Sequence, residues 1–145
     1  AAPDGKAPSL LIAALRDPDG ANLDRIQVVK GWTNPDGSAA EQVYDVSWSG
    51  DRQKDSKGKV PAVGNTVDIE TASYSNSIGA PILSGYWKDP DFDPDQHAFY
   101  YVRVLEIPTP NWTTYDHVYL GVELSKKAVA FSQERAYTSP VWYTP

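Results

Sequence analysis

The sequence predicts an all-β domain, built as a two-sheet antiparallel sandwich. Three observations lead to this prediction. Twelve Pro and ten Gly divide the 145 residues into short segments and leave little room for long helices. Residues that favour strands, above all Val, Thr and Tyr, recur along the chain. Five Trp, nine Tyr and three Phe supply the large rings that such a small core needs.

We expect residues 1–6 to be a linker and residues 7–145 to form a single domain. A chain of 145 residues is long enough for one hydrophobic core. The first predicted strand is Ser9–Leu15, an apolar run bounded by Pro8 and Pro18. The interval between the two prolines has room for little more than two helical turns, so we interpret it as a buried strand.

Two similar turn sequences come next, Asp17-Pro-Asp-Gly and Asn34-Pro-Asp-Gly. Each combines a Pro that sets φ, an Asp that caps the backbone and a Gly that tolerates positive φ. The second turn predicts a hairpin between a strand over residues 25–32 and a strand over residues 41–49.

The middle of the chain alternates between loops and short strands. Residues 50–65 are polar and predict a long loop. The alternation in residues 66–73 predicts a strand, residues 82–87 predict another, and residues 89–96 predict a turn rich in Asp and Pro.

The clearest strand of the sequence covers residues 98–107 and is ended by Pro108 and Pro110. Its alternation puts Tyr100, Val102 and Val104 on one face and Tyr101, Arg103 and Leu105 on the other. After it we predict a loop at 111–117, a short strand at 118–124, one helical turn or irregular chain at 125–132, and a closing strand at 138–143. Seven or eight strands of this kind suit an immunoglobulin- or fibronectin-like sandwich, with a partly open β-barrel as the alternative.

Charge and composition exclude several classes of function. The net charge is −6 and no basic face is evident, so we expect no nucleic-acid partner. The longest apolar run, residues 10–15, is too short to span a bilayer, so we expect no membrane partner. Cysteine is absent, which excludes disulfides and thiolate sites.

No group of residues has the pattern of a catalytic centre. His97 and His117 are the only histidines, and each is interpreted as a surface residue. No nucleophile-elbow or phosphate-loop motif is present. We therefore assign no catalytic residue and no cofactor to this chain.

A run of alternating carboxylates, Asp89, Asp91 and Asp93, resembles the start of a calcium loop. Counted from Asp89, however, the sixth position is Pro94 rather than Gly and the twelfth is Tyr100 rather than Glu. These carboxylates are kept as weak metal candidates, and a solvated turn is the preferred interpretation.

Aromatic and charged residues near the C-terminus are the main candidates for contact with a ligand or another domain: Trp112, Tyr115, Asp116, Arg135 and Trp142. Flat rings with a few polar partners bind sugars and other organic ligands. The same residue types are enriched where domains meet. A third, purely structural interpretation is that Trp112 and Trp142 plug the ends of the sandwich.

Two stretches carry a family resemblance: "LDRIQVVKGW" with "VYDVSWSGDR", and "FYYVRVLEIPTPNWTTYD" with "ERAYTSPVWYTP". They resemble the C-terminal region of a large bacterial family of unknown function. The upstream domain of that family is similar to metal-dependent hydrolases of the polymerase-and-histidinol-phosphatase type.

The resemblance implies a non-catalytic C-terminal accessory domain of a larger metal-dependent hydrolase-like protein, which supports or rims its active site. It implies that the partner is an upstream catalytic domain of the same protein, and that the metal ions are bound there. Many members of the family are periplasmic or exported, which favours that location. The alternative is a free-standing β module that binds a carbohydrate or small ligand through its aromatic loop.

Overall fold

The computed structural model describes residues 5–145 and contains seven strands and one helix in that range. The linker predicted for residues 1–6 falls mostly outside the described residues and stays a prediction. The elements are β1 Ser9–Leu15, β2 Leu23–Thr33, β3 Ala39–Trp48, β4 Ile82–Lys88, β5 Ala98–Pro110, α1 Trp112–Leu120, β6 Phe131–Tyr137 and β7 Val141–Tyr143.

The strands form two antiparallel sheets. β1 and β4 pair in a small two-stranded sheet. The larger sheet has the order β3-β2-β5-β6, and β7 pairs with the first three residues of β5. Neither sheet closes on itself. The predicted two-sheet sandwich is therefore confirmed, and the barrel alternative is wrong.

The hydrophobic core lies between the two sheets. The small sheet contributes Ile12, Leu83 and Trp87, and the large sheet contributes residues such as Val28 and Tyr100. The Trp87 ring lies 5.9 Å from that of Tyr100, centroid to centroid. Each such buried apolar side chain stabilises the fold by about 1.5–3 kcal/mol. The two-face alternation predicted for β5 is confirmed, since Tyr100 and Val102 face this core.

The two predicted turns are present, and the second one joins two paired strands. The backbone N–H of Gly20 donates to the carbonyl of Asp17 at 2.9 Å, and that of Gly37 donates to Asn34 at 2.9 Å. Gly37 has a φ of 83°, a conformation that L side chains rarely adopt. The second turn joins β2 and β3 as an antiparallel hairpin, which confirms that prediction.

The strand predicted at residues 66–73 is wrong. This segment forms turns, and its β-pairing is one isolated bridge between Asp68 and Ser73. The Asp68 carboxylate accepts a hydrogen bond from the backbone N–H of Glu70 at 2.9 Å. An Asp that bonds its own backbone in this way competes with strand pairing.

The loop predicted at 111–117 and the strand predicted at 118–124 are also wrong, because Trp112–Leu120 is helical. The helix begins after Asn111 and ends at Gly121, which has a φ of 68° and donates its N–H to His117 at 3.1 Å. Gly in this conformation is a common helix end. For residues 125–132, predicted as one helical turn or irregular chain, residues 125–130 are irregular and residues 131–132 begin β6. No helix in the described residues has the length and apolar character needed to cross a membrane.

The end of the large sheet also differs from the prediction. β5 continues through Pro108 to Pro110, with a register shift between Leu105 and Pro108 where it meets β6. A bulge of this kind accommodates a Pro, which has no N–H to donate. β6 itself was not predicted as a strand, because its sequence is mostly exposed and polar and lacks an apolar alternation.

Candidate functional site

The structure divides the five aromatic-region candidates among three places. Trp112, Tyr115 and Asp116 lie on α1, Arg135 lies on β6, and Trp142 lies on β7. Trp142 pairs with Phe99 near the start of β5, whereas α1 begins just after β5 ends at Pro110. At about 3.3 Å per strand residue, roughly 35 Å separates these two ends. The five residues therefore do not form one site.

On α1, the aromatic side chains share one face of the helix. Trp112 and Tyr119 are each 70% exposed, and the Tyr115 ring stacks on the Tyr119 ring at 6.4 Å. The opposite side is fixed by the buried Thr114, whose hydroxyl donates to the carbonyl of Ala130 at 2.6 Å. The high exposure of Trp112 shows that it does not plug the end of the sandwich.

Arg135 lies opposite Leu105 on β6, at the solvent-exposed side of the sheet. With Leu15 and Glu134 it lines a shallow hollow of about 230 Å³ beside the end of β1. Arg135, although on the large sheet, thus lies beside the end of β1 rather than beside α1.

Trp142 lines a cleft with a volume of about 440 Å³. The cleft lies where β2 ends and β3, β5 and β7 come alongside it. Its apolar wall is the Trp142 indole, 70% exposed, packed at 5.2 Å against the Phe99 ring. Phe99 lies directly over Gly31, where an added Cβ would come within 2.3 Å of the ring. Gly31 is therefore needed for the Phe99 ring to lie against the sheet.

Polar side chains surround this apolar wall. Glu41, His97 and Thr33 line the cleft, and all three are exposed. Within the described residues their side chains make no hydrogen bond or ion pair with the protein. An apolar wall with a few free polar groups at its border is the usual composition of a ligand pocket. The sequence reasoning named Trp142 but missed Gly31 and Phe99, because their contact depends on the register between β2 and β5.

The acidic turn at residues 89–96 connects the two sheets at the end where the cleft lies. Asp89 is buried, and its carboxylate meets the Lys30 ammonium at 2.7 Å and accepts the Tyr100 hydroxyl at 2.8 Å. Burial, and then this hydrogen bond, raise the pKa of Tyr100 well above its ordinary value. Asp91 accepts the Tyr44 hydroxyl at 2.8 Å, and burial and that bond raise the pKa of Tyr44 in the same way.

Asp93, the third weak metal candidate, accepts the backbone N–H of Asp95 at 3.0 Å. All three carboxylates therefore bond protein groups, as expected of a turn. In residues 5–145, no three His, Asp or Glu side chains are grouped so that they could hold a metal ion. We accordingly derive no chemistry through a metal in this domain.

A network of buried charges lies at the end of the large sheet that is opposite the cleft. Arg25 meets Asp24 at 3.0 Å and Asp45 at 3.4 Å, and its guanidinium also donates to the carbonyls of Val60 and Pro61, each at 2.7 Å. These two carbonyls belong to the loop at residues 50–65, which thereby folds over the outer face of the sheet.

Arg52, from the same loop, reaches Asp24 at 2.8 Å, so that Asp24 has two cationic neighbours. Gln27 donates to Asp45 at 2.7 Å and accepts from Arg103 at 2.8 Å, which extends the network across the sheet. Each buried charge of this network has a partner, and its groups are engaged by one another rather than free for a ligand.

The outer face of the small sheet is apolar and open. Leu11 is 87% exposed, Leu15 70%, Ile82 61% and Tyr86 66%. Leu11 pairs across the sheet with Tyr86, and Leu15 pairs with Ile82. Their neighbours on the same strands, such as Ile12 and Leu83, fill the core instead. We call these four exposed residues the apolar face.

No curated protein and no solved structure is significantly similar to the chain. The family model DUF3604, described as a protein of unknown function, matches residues 1–145. The match covers every element of the sandwich, including α1 and the strands that line the cleft. The chain therefore belongs to the DUF3604 family.

Proposed function

We propose that this domain is a non-catalytic accessory domain of a larger metal-dependent hydrolase-like protein. In this proposal it packs through the apolar face against the catalytic domain of the same protein, which binds the metal ions. The resemblance of the C-terminal strands supports the assignment to such a protein. The observation that carries the packing role is the apolar face itself.

The apolar face is unusual for a surface that stays in water. Four large apolar side chains lie on one side of a two-stranded sheet, in two cross-strand pairs with the exposed Ala13–Ser84 pair between them. Contiguous apolar patches on soluble domains mark surfaces that bind a partner. Burying one such side chain is worth about 1.5–3 kcal/mol, so a domain that covers the face gains a stable contact.

Arg135 and the aromatic face of α1 extend this proposal to the active-site rim. Arg135 shares its hollow with Leu15, one residue of the apolar face. A partner seated on that face therefore comes within reach of the guanidinium. Trp112, Tyr115 and Asp116 lie on a separate exposed helix and are proposed to contact the partner near its active site.

The docking role predicts that the two domains of the parent protein unfold together. We propose the double variant Leu11→Ser and Tyr86→Ser, which removes one cross-strand pair of the apolar face. In the isolated domain it should change the free energy of unfolding by less than about 1 kcal/mol, since both side chains are exposed. In the parent, calorimetry should show the single unfolding transition split into two.

Tyr137→Ser is the matched control, because Tyr137 is a 56% exposed ring on the other sheet. It should leave the single transition of the parent intact. If the double variant of the parent also keeps one transition at the same temperature, the apolar face is not the contact between the domains.

The rim role is tested separately by Trp112→Ala and Arg135→Ala in the parent protein. Each should lower turnover more than stability, because both side chains are exposed and contribute little to folding. Steady-state kinetics and urea unfolding on the same preparations measure the two effects. Unchanged kinetics in both variants would exclude the rim role and would not test the docking role.

A further inference from the structure

Four aromatic rings form a continuous row on the outer face of the large sheet. In spatial order they are Trp142, Phe99, Tyr101 and Tyr137, and we call them the aromatic strip. Successive ring centroids are 5.2 Å, 6.3 Å and 6.1 Å apart. The strip crosses from β7 over β5 to β6 and begins in the cleft described above.

The sheet beneath the strip leaves room for the Phe99 ring. Gly31 lies opposite Phe99 and Val29 lies opposite Tyr101 in the register of β2 and β5. Gly31 has no side chain to lift the Phe99 ring, and Val29 is fully buried. The Phe99 and Tyr101 ring planes differ by 8°, whereas the planes at the two outer steps of the strip differ by 49° and 46°. The strip is therefore built into the register of the sheet and does not depend on a loop.

The ends of the strip are open to solvent. Trp142 is 70% exposed and Tyr137 56% exposed. At the Trp142 end, Glu41 and His97 supply hydrogen-bonding groups that no protein group occupies in the described residues. Rings that present an apolar face, bordered by unused polar groups, match a ligand with flat apolar faces and hydroxyls around its edge.

From this geometry we infer that the aromatic strip is a binding site for a chain of neutral pyranose sugars, with the terminal sugar in the Trp142 cleft. A pyranose ring has C–H groups on its faces and hydroxyls at its edge, and the ring-to-ring steps of the strip are comparable with the length of one sugar unit. Glu41 is the one carboxylate among the cleft-lining side chains and disfavours acidic sugars.

A peptide partner fits the strip less well. Peptides commonly bind a sheet by adding a strand to a free edge. β5, which carries two of the four rings, is already paired on both sides, with β2 on one and with β6 and β7 on the other. The centre of the strip therefore offers side-chain rings and no free backbone groups, whereas β6 and β7, which carry Tyr137 and Trp142, pair with β5 alone in the described residues.

This inference moves the carbohydrate site away from residues 111–117, where the sequence had suggested an aromatic loop. It is also independent of the proposed function, because the strip lies on the large sheet and the apolar face lies on the small one. Failure of one does not bear on the other.

The test is tryptophan fluorescence of the 145-residue chain titrated with linear hexasaccharides of glucose, xylose, mannose and galactose. We expect a saturable change in emission with at least one of them. Trp142→Ala should weaken that binding by at least about tenfold, the loss of one stacked ring from the cleft. Because indole emission is itself changed in this variant, isothermal titration calorimetry supplies the affinities.

Trp112→Ala is the matched control, since Trp112 has the same 70% exposure but lies at the far end of β5. It should bind as the unsubstituted chain does. The inference is overturned if none of the hexasaccharides gives saturable binding, or if both variants lose affinity equally. It is also overturned if sedimentation shows that Trp142 instead holds two copies of the chain together.

Discussion

The two ends of the large sheet's outer face differ in whether their polar side chains are buried and paired or exposed to solvent. At one end, the loop of residues 50–65 covers Arg25 and Asp45, and their charges are buried and paired. At the other end, Phe99 and Trp142 lie in an open cleft, and Glu41 has no protein partner in the described residues.

This difference separates the polar groups that stabilise the fold from those that do not. A buried charge without a partner costs several kcal/mol, so the closed end has to be fully connected for the domain to be stable. Exposed rings and solvated side chains carry no such requirement. The groups at the open end are therefore available for binding, while those at the closed end are structural.

The largest expected effect comes from breaking the closed end. Arg25→Ala removes the cation that Asp24 and Asp45 share, and leaves buried carboxylates with fewer partners. We expect a loss of about 3–5 kcal/mol in the free energy of unfolding, measured by urea denaturation. Arg135→Ala, at an exposed position, is the control and should change it by less than about 0.5 kcal/mol. A loss below about 1 kcal/mol for Arg25→Ala would show that the network is dispensable.

An intermediate effect is expected at the open end from Gly31→Ala. The new Cβ would lie within 2.3 Å of the Phe99 ring, so the ring has to move. Overpacking of this kind costs about 1–3 kcal/mol. In a Phe99→Ala background the same change should cost much less, and urea unfolding of the original chain and the three variants measures this coupling. Equal costs in both backgrounds would mean that Gly31 does not act through Phe99.

The smallest effect is expected for Glu106→Gln. This variant applies the rule that a buried charge needs a partner to a carboxylate that is only partly buried. Burial raises the pKa of Glu106, and the nearby carboxylates of Glu134 and Asp17 raise it further. The folded state thus holds this proton more tightly than the unfolded state does. Stability is lost as the pH rises from the ordinary glutamate pKa through the raised pKa.

Replacing Glu106 with Gln removes that loss. The variant should be more stable than the original chain at pH 7, by about 0.5 kcal/mol since the group is partly exposed, and no more stable near pH 4. Thermal unfolding at the two pH values measures the difference, with the exposed Glu70→Gln as the control. A gain of equal size at both pH values would show that the charge of Glu106 is not the cause.

Much of the sandwich was predictable because it depends on local signals. The turn at Asn34 and the alternation of residues 98–107 specify a hairpin and a two-faced strand within a few residues of chain. α1 was missed although its signal was present, with Asn111 before it and Gly121 after it. The Thr and Tyr residues between these caps have a low helix propensity, so the two caps were the main local signal for a helix.

The candidate site was predictable only in part. Trp142 was named from its residue type, but its neighbours in the cleft come from three other strands. Tyr137 joins the aromatic strip through β6, a polar edge strand without an apolar pattern. Such contacts depend on which strands pair and in which register, and no short stretch of sequence contains that information.

The sequence by itself determined the β class, the turns, the alternating faces of β5, the scarcity of histidine and the absence of cysteine, since these follow from residue type and nearest neighbours. Only the tertiary structure decided which buried charges are paired, which apolar face stays open and which rings meet. Those outcomes depend on contacts between residues far apart in the chain, such as Gly31 with Phe99 and Arg25 with Val60.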